Sequence, residues 1–347
     1  MLGDKAHVRL HRAALAVALV AGYAASVLLS SFVGRGGAPI ASLWTANGFL
    51  AAAFILLGRP WRIGVASACV AFQIAASLVA GDGAARAALY PLVNLLEAGL
   101  TGWLAIRFSG VRARRLSLRE LMLVPIAAIV PAAAIAAVAG ALVNWVLLGQ
   151  PLLAGWVGWA ISGGLGMAIV LPALLLAARA GQYKEFDRSP LETAAILGGL
   201  TALVVGVFLE RDLPLQFAIF PALTVIAVRL GPPGAAAAAL LTAMVAMPLT
   251  LLGPDTPAPR LDTVARIRLT EVIIAAALFS TLVTAIAVGE QTRLRQLMLG
   301  RDRAARAARE RARRAESAAA QVHEATDKGQ AGQPDRMRRR ARLAGLV

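Results

Sequence analysis

Leu121-Met122-Leu123-Val124-Pro125-Ile126-Ala127-Ala128-Ile129-Val130-Pro131-Ala132-Ala133-Ala134-Ile135-Ala136-Ala137-Val138-Ala139-Gly140-Ala141-Leu142-Val143-Asn144-Trp145-Val146-Leu147-Leu148 contains no charged side chain. A helix needs about 20 mostly apolar residues to cross the hydrocarbon of a bilayer, and this stretch exceeds that. Working outward, comparable stretches lie at 13–33, 43–57, 63–80, 87–106, 156–177, 191–208, 214–228, 235–252 and 269–288. With 121–148 they make ten candidates. Those at 43–57 and 214–228 are short, so eight to ten spans are expected. No strand-length alternation of apolar and polar residues appears, which excludes a membrane barrel. The expected fold is an all-α polytopic membrane bundle.

Composition supports this. The 347 residues are 59% hydrophobic and 16% charged, against about 45–50% and about 25% in soluble domains. Such hydrophobicity excludes disorder for most of the chain. The single Cys69 and three terminal histidines, His7, His11 and His323, leave no disulfide framework and no metal site in the apolar body. No metal or cofactor is expected. The net charge of +16 is uneven: residues 291–347 hold 15 Lys+Arg and 6 Asp+Glu, a net +9, leaving +7 for the first 290 residues. A charge gathered beside the membrane-embedded body gives no reason to expect nucleic acid as a partner.

Loop charges set the orientation. With the N-terminus inside, the cytoplasmic segments carry fourteen Lys and Arg: Lys5, Arg9, Arg12, Arg59, Arg62, Arg107, Arg112, Arg114, Arg115, Arg119, Arg179, Lys184, Arg188 and Arg229. The opposite loops carry six: Arg35, Arg86, Arg211, Arg260, Arg266 and Arg268. An even number of spans then places the basic C-terminal region inside as well. The stretch 13–33 is too long for a signal-peptide core and reads as a retained anchor.

Four regions follow: a cytoplasmic N-terminus (1–12), a membrane-embedded domain (13–290), a cytoplasmic helix (291–320) and a disordered basic tail (321–347). In the third, residues 294, 298, 301, 305, 308, 312, 315 and 319 read Leu, Met, Arg, Ala, Ala, Ala, Ala, Ala, a weak heptad seam. It reads either as a solvated basic helix or as a parallel coiled-coil rod joining two copies, and alanine buries too little to hold a dimer without help from the spans. The tail, with Gly329, Gly332, Pro334 and Arg338-Arg339-Arg340, has a disordered composition and suits anionic lipid.

Ionisable side chains are expensive in hydrocarbon. Glu97 alone sits near the middle of a span, and Tyr90, Asn94, Glu97 and Thr101 share one helical face. Thr45, Asn47, Gln73 and Asn144 are candidate partners. Two readings stay open: a packed polar seam with a neutral Glu97, and a ligand or proton site. Glu192 and Glu271 lie near span ends. Trp44, Trp103, Trp145, Trp156 and Trp159 lie at or just inside span ends, where an aromatic belt is expected. Trp156 and Trp159 suit a ligand wall as an alternative. Gly163-Gly164-Leu165-Gly166 lacks the ending of a phosphate loop and reads as a helix-packing surface.

In this order the motifs resemble one family. Leu43-Trp44-Thr45-Ala46-Asn47-Gly48 resembles the Trp-Pro-(Pro/Ala)-(Asn/Thr)-Gly signature of the class-one membrane-associated sensor domains (the MASE family). Asn94-Leu95-Leu96-Glu97-Ala98 is similar to its Asn-x-x-Glu-Ala element, and Trp156-Val157-Gly158-Trp159 with Gly166 and Pro172 to its Trp-rich helix. Phe220-Pro221 through Arg229-Leu230-Gly231-Pro232-Pro233-Gly234 resembles its later turn, and Glu290 its closing acidic residue. The resemblance covers about residues 13–292. It implies a bacterial inner-membrane sensory domain of about eight spans, used as the input of histidine kinases and diguanylate cyclases in two-component and cyclic-di-GMP signalling. The polar face and the resemblance together make Trp44, Asn47, Tyr90, Asn94, Glu97, Trp156 and Trp159 candidates for intramembrane sensing or a polar seam, and Arg229, Gly231, Pro232 and Gly234 for a structural turn.

Two departures stand out. Gly163 occupies a position where the family usually has aspartate. After Arg313-Arg314-Ala315-Glu316-Ser317-Ala318 no phosphoacceptor motif follows, since His323-Glu324 leads into Ala325-Thr326-Asp327, and no cyclase signature is present. The expectation is a sensory module that is not itself an enzyme. It would meet an unidentified ligand and pass its signal to a cytoplasmic kinase or cyclase. An alternative is the N-terminal part of such a kinase or cyclase, and a more distant one a small-solute transporter using Asn94 and Glu97.

Overall fold

Glycine and proline, more than charge, decide where the apolar stretches stop and bend. The structure, a computed structural model, describes residues 2–34, 43–108, 111, 120, 123–179, 181, 183–210, 215–252, 263–331, 340 and 345. Helix α1 is Leu2–Gly34, α2 is Ala46–Leu56 and α3 is Arg59–Val79, the last opened by Pro60, whose missing N–H costs nothing in a first turn. Helix α4 is Ala84–Phe108. A π-helical turn, Val124–Ile129, leads into α5, Val130–Leu148, which ends at Gly149 with φ of 66°. Helix α6 is Leu152–Ala177.

A 3-10 turn at Lys184–Phe186 then leads to α7, Pro190–Leu209. Ser189 caps α7, its side chain accepting from the Glu192 N–H at 3.1 Å. A second 3-10 turn, Leu215–Ala218, precedes α8, Ile219–Leu252, and α9 is Thr263–Ala331.

Eight of the described helical stretches are long and apolar enough to cross a membrane, the lower end of the expected range. The difference from ten has two causes. Helix α2 has only 11 residues, a length of about 16 Å against about 30 Å of hydrocarbon. The stretches expected at 214–228 and 235–252 are two helical segments that meet at Gly231, where φ is 62° and ψ −163°, and together they count as one span. Pro232 restarts the helix immediately after, as proline can at a first helical position. The expected N-terminal segment is helical from Leu2. Helix α9 passes the expected boundary at 320 and reaches Ala331, there being no glycine or proline between Gly300 and Gly329 to stop it. Most of the remaining tail, and Arg35, Arg112, Arg114, Arg115, Arg119, Arg211 and Arg260 of the charge argument, lie outside the described residues.

Residues 1–290 and 291–347 are two separate units. Within the first, α2 packs against α1, α4 and α6, α4 against α3 and α5, and α6 against α5 and α8. Most of α2 is buried, including Ala46, Asn47, Gly48, Leu50, Ala51, Ala52, Ala53 and Ile55. A helix apolar on all sides belongs in the middle of a bundle. Large apolar side chains such as Val130, Val138, Leu153, Val228 and Phe279 instead face outward. In water they would form a liability; around these helices they are the surface that meets lipid. The chain is an all-α, multi-pass membrane protein.

Candidate functional site

Glu97 lies halfway along α4 and is completely buried, as is Asn47 in the first turn of α2. The Asn47 Nδ2 donates to Glu97 Oε2 at 2.7 Å and to Asn94 Oδ1 at 3.2 Å. Trp44 Nε1 donates to Asn47 Oδ1 at 3.0 Å. An indole can only donate, so the Asn47 oxygen must face Trp44 and its amino group must face Glu97. That orientation propagates. Asn94 Nδ2 donates to Gln73 Oε1 at 3.1 Å, and Tyr23 Oη donates to the same oxygen at 2.6 Å. Side chains from α1, α2, α3 and α4 thus form one network with a fixed sense, in which the Glu97 carboxyl only accepts.

Glu97 Oε1 has no full hydrogen bond, although the Trp159 side chain lies close to the carboxyl. Among the described residues no Lys or Arg forms an ion pair with it. Its partners are neutral amides. A buried polar group so incompletely matched is unusual in a folded interior.

Glycines make the room. A Cβ at Gly163 would stand 2.4 Å from Glu97 Oε1, and one at Gly140 would stand 2.4 Å from the Trp159 ring. A Cβ at Gly166 would meet the Trp44 carbonyl oxygen at 2.0 Å, and the Trp44 N–H donates to the Ser162 carbonyl at 3.2 Å. Helix α6 is therefore pressed against the start of α2 and the Glu97 carboxyl at once. The Gly163–Gly166 segment is packing surface, and position 163 is filled by the carboxyl of another helix.

A second polar line runs from Glu97 toward the start of α4. Tyr90 meets Trp159 edge to face at 5.2 Å, and its hydroxyl donates to Asn144 Oδ1 at 2.5 Å. Asn144 Nδ2 donates to Gln150 Oε1 at 3.0 Å. Arg86 lies 5.3 Å from the Tyr90 ring centre and 3.4 Å from Asp82.

Trp44, Asn47, Tyr90, Asn94, Glu97 and Trp159 thus come together. Gln73 joins them, whereas Asn144 meets only Tyr90, and Thr101 turns to the Met167 sulfur at 3.4 Å. Thr45 makes no side-chain cap for α2. Trp156 stands apart, its indole N–H donating to the Ala134 carbonyl at 3.0 Å across the α5–α6 contact. Tyr23 and Gly140 carried no sequence pattern. Each is a single residue in an apolar run, and only the tertiary contact reveals it. Among the described residues no three His, Cys, Asp or Glu converge into a metal-ligand set.

Arg229, Gly231, Pro232 and Gly234 surround the break in α8. Arg229 Nε donates to Glu192 Oε1 at 3.0 Å, and a Cβ at Gly231 would lie 2.3 Å from the Phe186 ring.

A bundle that buries a carboxyl among amides, and whose apolar exterior meets lipid, defines a multi-pass membrane protein with a polar intramembrane core. The family model of MASE1, a membrane-associated sensor domain of kinases and cyclases, matches residues 13–292, and the chain belongs to that family. It therefore carries a sensory input domain for signal transduction, and that domain is not catalytic itself. No curated protein and no solved structure matches the chain.

Proposed function

We propose that the network around Glu97 is the sensing element of this input domain and that the helix over 291–320 carries its state to a kinase or cyclase output. The observation that supports this is the fully buried Glu97 carboxyl, tied to α2 through Asn47 and crowded against Gly163 of α6. From that position a change in its charge or occupancy acts on the packing of three helices at once. The domain works in the bacterial cytoplasmic membrane, and an even number of spans puts both termini on one side, which the basic C-terminal region favours as the inside. A homodimer aligned along 291–320, with its stability supplied by the spans, brings two outputs together.

The test is a fusion of the full chain to a diguanylate cyclase domain. Glu97→Gln keeps the shape and removes the ionisable group, and it is expected to change cyclase output about fivefold or more, the usual lower range of coupling between sites. An unchanged output in a folded fusion returns Glu97 to a packing role.

A further inference from the structure

The break in α8 touches more elements than a turn needs. Gly231 combines a φ of 62° with no side chain, and the space its Cβ would fill holds the ring of Phe186, whose Cγ is 2.3 Å from that point. Phe186 is buried and belongs to the connector between α6 and α7. On the other side of the break, a Cβ at Gly289 in α9 would lie 3.2 Å from Pro232 Cγ. Ala227, Ala235 and Ala285 form their own fully buried cluster there, apart from the main core. Ala227 and Ala235 sit one turn before and after Gly231, and Ala285 one turn before Gly289. At the break, the broken helix and the last span therefore meet through Ala227, Ala235 and Ala285 and through Gly289 against Pro232. Arg229 ties the same turn to the capped start of α7 through Glu192, at 2.9 Å from Nη2.

We propose that the Gly231 break is the joint through which the α6–α7 connector sets the position of the last span, with Phe186 bearing on Gly231 and Pro232 bearing on Gly289. Helix α6 carries Gly163, against which the Glu97 carboxyl is pressed. A displacement of α6 reaches Phe186 through the connector, and the Phe186 ring lies directly against Gly231 at the break. The break in turn can displace α9, because Pro232 bears directly on Gly289. The joint's geometry stands by itself; only its use in carrying a stimulus rests on the sensory reading above.

The test uses the full chain in lipid nanodiscs, with Cys69→Ala, spin labels at Arg59→Cys and Arg293→Cys, and the distance between them as the readout. Phe186→Ala empties the seat under Gly231, and Gly289→Leu drives a side chain into Pro232. Each is expected to shift the distance on the order of 1–2 Å, the scale of helix shifts in switching proteins. Phe217→Ala, at an exposed position, is expected to leave it unchanged. If a strong variant unfolds, Phe186→Leu and Gly289→Ala take its place. A folded protein whose distance ignores both substitutions overturns the joint. The same variants in the cyclase fusion separate the two ideas: a distance shift with unchanged output keeps the joint and overturns the sensory reading.

Discussion

Asn47 uses three of the four hydrogen-bonding directions of its amide within this network, accepting from Trp44 and donating to Asn94 and Glu97. Replacing it with leucine keeps the volume and strands three partners, two of them buried. The cost of one interhelical hydrogen bond in a membrane is about 1–2 kcal/mol at most, and stranded partners add to it. Asn47→Leu is expected to lower thermal stability in detergent clearly more than Tyr90→Phe, which strands only Asn144. The glycines of α6 make a sharper comparison. Gly164→Ala meets only Ala133 at 3.4 Å and should be tolerated. Gly163→Ala meets the flexible end of Glu97, so it should break the Asn47–Glu97 bond and be rescued by Glu97→Ala. Gly166→Ala meets backbone at 2.0 Å and should cost most, since a backbone atom cannot step aside. Melting curves of these variants check the order, and a Gly166→Ala protein as stable as Gly164→Ala would sink it. Much of this cluster was legible in the sequence, because Asn94 and Glu97 share a helical face and an intramembrane carboxyl demands partners. The role of Gly163 was not, because a glycine in an apolar helix has no chemistry of its own until its neighbour is known.

Helix α2 shows what pattern reading does at the scale of an element. Hydropathy marks 43–57 as apolar but does not measure whether the helix within it spans the membrane, and only 11 residues are helical. Its first turn instead brings Asn47 to the depth of Glu97, which sits in the middle of α4. At Gly231 pattern reading does better: hydropathy separates 214–228 from 235–252 at the Gly-Pro-Pro-Gly interruption, and the backbone breaks there into two helical segments. That break has a direct test. A residue other than glycine at this φ and ψ costs on the order of 1–3 kcal/mol in backbone strain, and the Phe186 ring occupies the Cβ position as well. Gly231→Ala should therefore destabilise more than Gly206→Ala in α7, where nothing lies within 4 Å of the added carbon. Ser189→Ala, which removes the α7 cap, should cost about 1 kcal/mol. Equal melting temperatures for Gly231→Ala and Gly206→Ala would mean the turn bears no strain.

At the scale of the whole molecule, the buried apolar clusters all lie within residues 1–290, while the described side chains from Arg293 to Ala318 are exposed. The second unit therefore gains nothing from a core of its own. Its heptad seam from Leu294 to Ala319 is alanine at five of eight positions and includes Arg301. Burying an alanine methyl removes little apolar area from water at about 25 cal/mol per Å², and an arginine at a seam position must be desolvated or turned outward. Nine arginines between 293 and 314 add repulsion between two parallel copies. A soluble peptide of residues 291–331 is thus expected to sediment as a monomer at micromolar concentration, with helicity that rises with salt as repulsion among its own arginines is screened. A homodimer of the full chain, if it forms, must draw its stability from the spans, where the apolar exterior already provides lipid-facing surface to exchange. Sedimentation of the peptide beside the full chain in detergent decides this. A tight peptide dimer would show that the alanine seam suffices alone and would move the origin of dimerisation from the membrane to the cytoplasmic helix.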